Sequence, residues 1–320
     1  MPKNNTNNAK LLLILPVIAV VIASGCIGTT TPSTGPGVSI LDFKPDFEQL
    51  YSGEKVKLQL KVQNLGEVEA ENVRAEITGI DINEWRGFGA AFAEKDLGDL
   101  LPYDTVTNTP GEVKTVQWTD LYAPDLARGI EFPYEPIVRV SYDYRTTAYK
   151  PITLVDADEL RAIKQQGKTL PSRVTEYSSG PMTVEIRTGD FVKTSGMFGE
   201  TYDIFPIYVK IINTLWESGG SATQKTFAGF GEADYPVYVT ITPPSGTNFV
   251  FSGFGDDCGT AVLVDLWQGK DAEITCEFEV TNPPTIREEK LITVELDYRY
   301  RIDATTQIKV IGTEEGSGGF

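Results

Sequence analysis

The chain has 320 residues, with 45 acidic against 28 basic side chains, a formal net charge of −17 and no histidine. A surface this acidic repels phosphate backbones, which excludes nucleic acid as a natural partner. Without histidine the chain cannot build Ser-His-Asp or Cys-His nucleophile systems or His-ligated metal sites.

The first 26 residues predict an export signal. Lys3 and Lys10 precede a run of 15 mostly apolar residues, Leu11 to Gly25, which leads into Cys26. The basic residues are expected to stay on the cytoplasmic side, and the run is short for a full membrane span. Ala23-Ser24-Gly25 before Cys26 resembles the lipobox of prokaryotic lipoproteins. That resemblance implies that Cys26 carries lipid and becomes the first mature residue. Ala23 stands where the bacterial pattern prefers leucine, closer to the looser archaeal version. The alternative is an uncleaved anchor from Leu11 to Ile27. Both readings put residues 38 onward outside the cytoplasmic membrane. Without Lys3 and Lys10 the count is 26 basic against 45 acidic, a charge of −19. The sole Asn-x-Ser/Thr sequon, at Asn4, falls in the leader, so N-glycosylation of the mature chain is not expected.

Residues 27–37 contain the tract TTTPSTGPG, a polar spacer with nothing to bury. A first domain is expected over 38–155. Residues 55–62 (KVKLQLKV) alternate strictly, with Val56, Leu58, Leu60 and Val62 on one face. Further strands are expected at 72–78, 113–119, 137–144 and 151–155. Residues 156–180 hold one convincing helix, Asp156–Gln166, with an aspartate to cap it and Gly167 to end it, followed by a polar linker. A second domain is expected over 181–312, with strands at 182–187, 203–212, 236–242, 261–267, 273–280, 291–299 and 307–311. Residues 313–320 are expected to be a disordered tail.

The two stretches repeat each other. Asp-Tyr-Arg occurs at 143–145 and at 297–299, an offset of 154. The segment ending at Asn64 has a partner ending at Asn213, and AEIT at 75–78 aligns with VTIT at 239–242. Many short alternating strands, read twice, predict an all-β protein of two tandem antiparallel Ig-like β-sandwiches joined by a short helix-containing linker. The span Gly53 to Ile77 resembles the CARDB-like modules of archaeal and bacterial surface proteins, at Gly53, Val62, Asn64, Gly66, Ala70 and Val73. With the leader, the tandem repeat resembles archaeal surface lipoproteins. The resemblance implies extracytoplasmic Ig-like modules and no reaction.

Three cysteines are present. If Cys26 is lipidated, Cys258 and Cys276 remain as a pair in an oxidising compartment, and a disulfide is expected; two buried free thiols are the alternative. Candidate partner-binding residues are Trp216, Phe227, Phe230 and Tyr235, in an insert that lengthens the second copy between Asn213 and Val237. Aromatic side chains on loops of a rigid β-framework are common anchors, although they also fold back to cap a core. Three Gly-Phe-Gly triplets, at 87–89, 229–231 and 253–255, read mainly as structural loops. Asp256 and Asp257, with Asp96 and Asp99 in the first copy, are weak candidates for calcium, since their spacing matches no strict calcium loop. The Asp143/Arg145 and Asp297/Arg299 pairs lie on one strand face by period two and are expected to form a solvent-side ladder. No catalytic residue is assigned. The function expected is a membrane-anchored binding, adhesion or envelope-structural module, with a protein or glycan partner at the cell envelope. The alternatives are a transporter's substrate-binding lipoprotein, or a filament subunit donating Gly37–Phe43; a carboxylate-based hydrolase is the weakest.

Overall fold

A computed structural model describes residues 35–81, 83–87, 90–171, 173–189, 191–194, 203–225, 233–250 and 261–313. The first half contains β1 (Val38–Pro45), β2 (Gln49–Tyr51), β3 (Lys55–Asn64), β4 (Ala70–Thr78), the single turn α1 (Ala90–Ala93), β5 (Glu94–Leu100), β6 (Val113–Tyr122), β7 (Glu131–Tyr134) and β8 (Ile137–Asp156). Helix α2 (Ala157–Gln165) follows. The second half contains β9 (Glu176–Tyr177), β10 (Met182–Arg187), β11 (Phe191–Thr194), β12 (Asp203–Asn213), β13 (Ser221–Thr223), β14 (Pro236–Thr242) and β15 (Thr247–Phe249). It closes with β16 (Val262–Asp265), β17 (Asp271–Val280), β18 (Arg287–Thr305) and β19 (Ile308–Ile311). The fold is all-β.

Alternation explains the strands. In β3 Val56, Leu58, Leu60 and Val62 are fully buried while the lysines between them stay outside. The runs expected at 137–144 and 151–155 form one 20-residue strand, β8. The stretch between them, Arg145 to Lys150, is rich in Thr and Tyr and holds no turn residue. Pro151, which has no N–H to donate, falls on that strand between the residues paired with β9 and those paired with β11. Likewise β18 extends beyond the expected 291–299 at both ends. The expected helix is present as α2. The Asp156 carboxylate caps it by accepting from the Asp158 N–H at 2.8 Å, and Leu160 and Ile163 are its buried face.

The two halves have corresponding strand orders, except that β15 adds an edge strand to the second. The first half gives β1-β3-β6 and β5-β4-β8; the second gives β10-β12-β17-β15 and β16-β14-β18. The orders meet where β8 pairs antiparallel with β18 over their whole lengths, from Ile137↔Thr305 to Val155↔Arg287. The principal sheet therefore runs β16-β14-β18-β8-β4-β5, drawing strands from both halves. A small fourth sheet, β2-β19-β7, brings β19, after the last long strand, back between two strands of the first half. The segment considered above as a donor strand, Gly37–Phe43, lies mostly in β1, which pairs with β3 of the same chain on either side of a bulge at Leu41.

One core cluster contains buried side chains from both halves, including Leu58, Trp118, Tyr142, Ile207, Phe278 and Tyr298. All described residues belong to one compact unit, Thr34–Phe320. Among them, no helix is long and apolar enough to cross a membrane. The Leu11–Gly25 run and Cys26 lie outside the described residues.

Candidate partner-binding surface

The site begins with an asparagine. Asn213 ends β12 and is buried, so its amide must find partners inside the protein. Its Nδ2 donates to the Gly220 and Gly269 carbonyls at 3.0 and 2.9 Å. Its Oδ1 accepts from the Leu215 N–H at 3.1 Å and the Tyr300 hydroxyl at 2.6 Å. One side chain thus ties the turn after β12 to the turn before β17. Asn64 does the same in the first half: Nδ2 donates to Val68 and Leu100 carbonyls, and Oδ1 accepts from the Gly66 N–H. Gly66 has no room for a side chain, since a Cβ there would lie 2.0 Å from the Tyr144 hydroxyl.

The turn that Asn213 holds is Trp267-Gln268-Gly269-Lys270. Gln268 and Gly269 both have positive φ, at 51° and 74°, and the Lys270 N–H donates to the Trp267 carbonyl at 2.9 Å. This is the pattern of a tight hairpin turn of the primed kind. The Tyr235 ring closes one side: a Cβ on Gly269 would meet its Cδ1 at 3.0 Å. Tyr235 is further fixed by accepting from the Leu266 N–H and by donating its own N–H to the Asp265 carboxylate at 2.7 Å.

Two tryptophans lie on this frame. The Trp216 indole donates to the Gln268 carbonyl at 3.1 Å, and the Lys270 ammonium sits 5.4 Å from its ring centroid. Trp216 is 41% exposed, and Trp267 is 72% exposed. Trp216, held in place without a ligand, is suited to binding because little side-chain entropy remains to be lost, and Trp267 adds an exposed ring on the same turn.

Of the four aromatics singled out by sequence, the structure brings Trp216 and Tyr235 to one turn. Trp216 is a surface residue, whereas Tyr235 is partly buried and packs against the core. Phe227 and Phe230 lie outside the described residues. Trp267 was missed because it ends an apparently ordinary strand. The signal available was its place before Gln-Gly, a turn pair that leaves the preceding side chain at a hairpin corner.

The remaining candidates separate. Asp96 accepts from the Gly98 N–H and Asp99 from the Asn72 N–H, both shaping the β4–β5 edge. Asp256, Asp257 and Cys258 lie outside the described residues, as do the 229–231 and 253–255 triplets and residues 88–89 of the first. Among the described residues, no three His, Cys, Asp or Glu side chains converge to hold a metal ion. Cys276 is buried on β17. The Asp-Tyr-Arg pairs form a ladder between the two halves. Arg299 holds Asp143 and Arg145 holds Asp297 across the β8–β18 pair.

No protein-family model and no curated protein matches the chain.

Proposed function

We propose that this chain is a membrane-anchored, extracytoplasmic module that engages another component of the cell envelope through the turn bearing Trp216 and Trp267. The leader, Cys26 and the Thr/Pro spacer support the anchored, outside location. In this reading each half is a copy of one Ig-like sandwich, with β8 and β18 as the shared seam, and Cys258 pairs with Cys276. The module binds and positions; it carries no reaction centre.

The single observation that carries the reading is the pairing of a 72% exposed Trp267 with a turn fixed by Asn213, Tyr235 and Trp216. An indole this exposed adds little packing among the described residues and is available to a partner. The test is a photo-crosslinking amino acid placed at position 267 in cells making the full chain. The reading expects a crosslink to an envelope component, lipid or macromolecule, on the outer face of the cytoplasmic membrane. Absence of any crosslink, or a product with cytoplasmic proteins, overturns it.

A further inference from the structure

Two loops flank the point where the chain enters its described unit. Gly35 donates its N–H to the Leu65 carbonyl at 2.8 Å, and its carbonyl accepts from the Ser179 hydroxyl at 2.6 Å. On one side, the neighbouring Gly66 carbonyl accepts from the Tyr103 N–H at 2.8 Å. Tyr103 opens a loop closed at its base by the Glu112 N–H to Leu101 carbonyl bond. Val106 in this loop is 92% exposed, and Leu101 and Val113 at its base are exposed as well. On the other side, the Thr214 N–H bonds the Pro181 carbonyl at 3.0 Å, and Pro181 abuts Gly37. Trp216 follows two residues later, with Trp267 on the turn it braces. The entry point is thus bracketed by aliphatic side chains on one hand and tryptophans on the other.

Eight residues, Ile27–Thr34, stand between Cys26 and Gly35. Even fully extended they reach only about 30 Å. So short a leash, attached at this point, lets the face that carries both loops approach the lipid that would hold Cys26. Tryptophan prefers the boundary between lipid and water, where its ring is shielded and its N–H stays wet. A lysine over an indole suits the same boundary, since its stem lies along apolar surface while its charge stays in water.

We propose that the occupant of this surface is the membrane itself: Val106, Leu101, Trp216 and Trp267 dip into the lipid interface and set the unit's orientation on the bilayer. The inference rests on the anchored reading given above. The contact is apolar. With a net charge of −17 the chain gains nothing from anionic headgroups, so neutral lipid suffices.

The experiment uses the full chain reconstituted into phosphatidylcholine vesicles, with and without bromine on the acyl chains. Trp85 and Trp118 are buried and serve as internal controls for the other two tryptophans. The expected result is bromolipid quenching of emission that disappears in W216F/W267F and is lost or strongly reduced in L101D/V106D, while the chain still floats with the vesicles. If the chain floats but the Trp267 emission is silent to bromolipid and quenched by aqueous iodide, the surface faces water. The membrane contact is then overturned, and the anchored reading, with a protein or glycan partner, stands. If the chain does not float with the vesicles, the anchored reading falls and takes this inference with it.

Discussion

Arg299 grips Asp143 across the β8–β18 pair, with its Nε and Nη2 at 3.0 and 3.1 Å from the two carboxylate oxygens. Arg145 makes the reciprocal contact with Asp297, and Tyr144 stands opposite Tyr298 between them. The pairing reads the same from either strand, so the repeated Asp-Tyr-Arg triplets meet about a local two-fold at the tyrosines.

The two ion pairs are not equivalent, which gives a first prediction. The Asp143 side chain is 11% exposed, against 25% for Asp297. Asp143 also accepts from the Asn72 amide at 3.0 Å and has Lys225 within 3.8 Å. Replacing it strands several donors in a half-buried place. Asp143→Ala is expected to destabilise the protein by about 2–3 kcal/mol, and Asp297→Ala by about 1 kcal/mol. Urea unfolding of the two variants measures the difference.

The other face of the same strands predicts alkaline sensitivity. Tyr142, Tyr144, Tyr298 and Tyr300 form a chain of ring contacts with centroids 5.9–6.2 Å apart. Burial holds all four hydroxyls above the ordinary tyrosine value. A tyrosine whose folded value is raised keeps its proton where the unfolded chain releases it. Its stabilising contribution is therefore full below about pH 10 and is lost as pH rises toward the folded value. Each such tyrosine costs about 1.4 kcal/mol per pH unit in that window. Absorbance at 295 nm and circular dichroism, followed together, should show these tyrosines ionising only with loss of structure.

Asn213 links fold to surface. Asn213→Ala leaves the Gly220 and Gly269 carbonyls, the Leu215 N–H and the Tyr300 hydroxyl without their partner. The expected cost is about 3 kcal/mol. Because Gly269 belongs to the Trp267 turn, amide exchange at Gly269 and Lys270 should rise more than exchange in β3. Uniform loosening of the whole protein would contradict the assigned role.

Trp267→Ala should behave oppositely. Its side chain is exposed, so thermal stability is expected to change by less than about 0.5 kcal/mol. A large loss of stability would show that the indole supports the fold rather than a partner.

The proposed Cys258–Cys276 bond closes a loop of 18 residues by sequence. A non-reducing peptide map should recover the two cysteines in one cross-linked fragment, and reduction should lower stability by about 3 kcal/mol. Separate thiol-labelled peptides from native protein would refute the pairing.

Sequence by itself determined most of the long strands and the repeat, but not the short pairing strands such as β2, β7 and β13. Period-two burial is local, so Val56 to Val62 announce their face without knowledge of what covers it. The cap at Asp156 is equally local, resting on atoms two or three residues away. The repetition of Asp-Tyr-Arg was also legible, but its meaning was not. Period two puts an aspartate and an arginine on one face of a strand, and nothing local says whether each pairs with its neighbour or across to the other copy. Only the antiparallel register of β8 on β18 decided that Asp143 meets Arg299 and that half of the ladder is buried. The same holds at the surface. Trp216 was legible as a loop aromatic, whereas Trp267 was not. The groups that fix its turn, Asn213 and Trp216 from one segment and Tyr235 from another, are distant in sequence, and only tertiary structure puts them together.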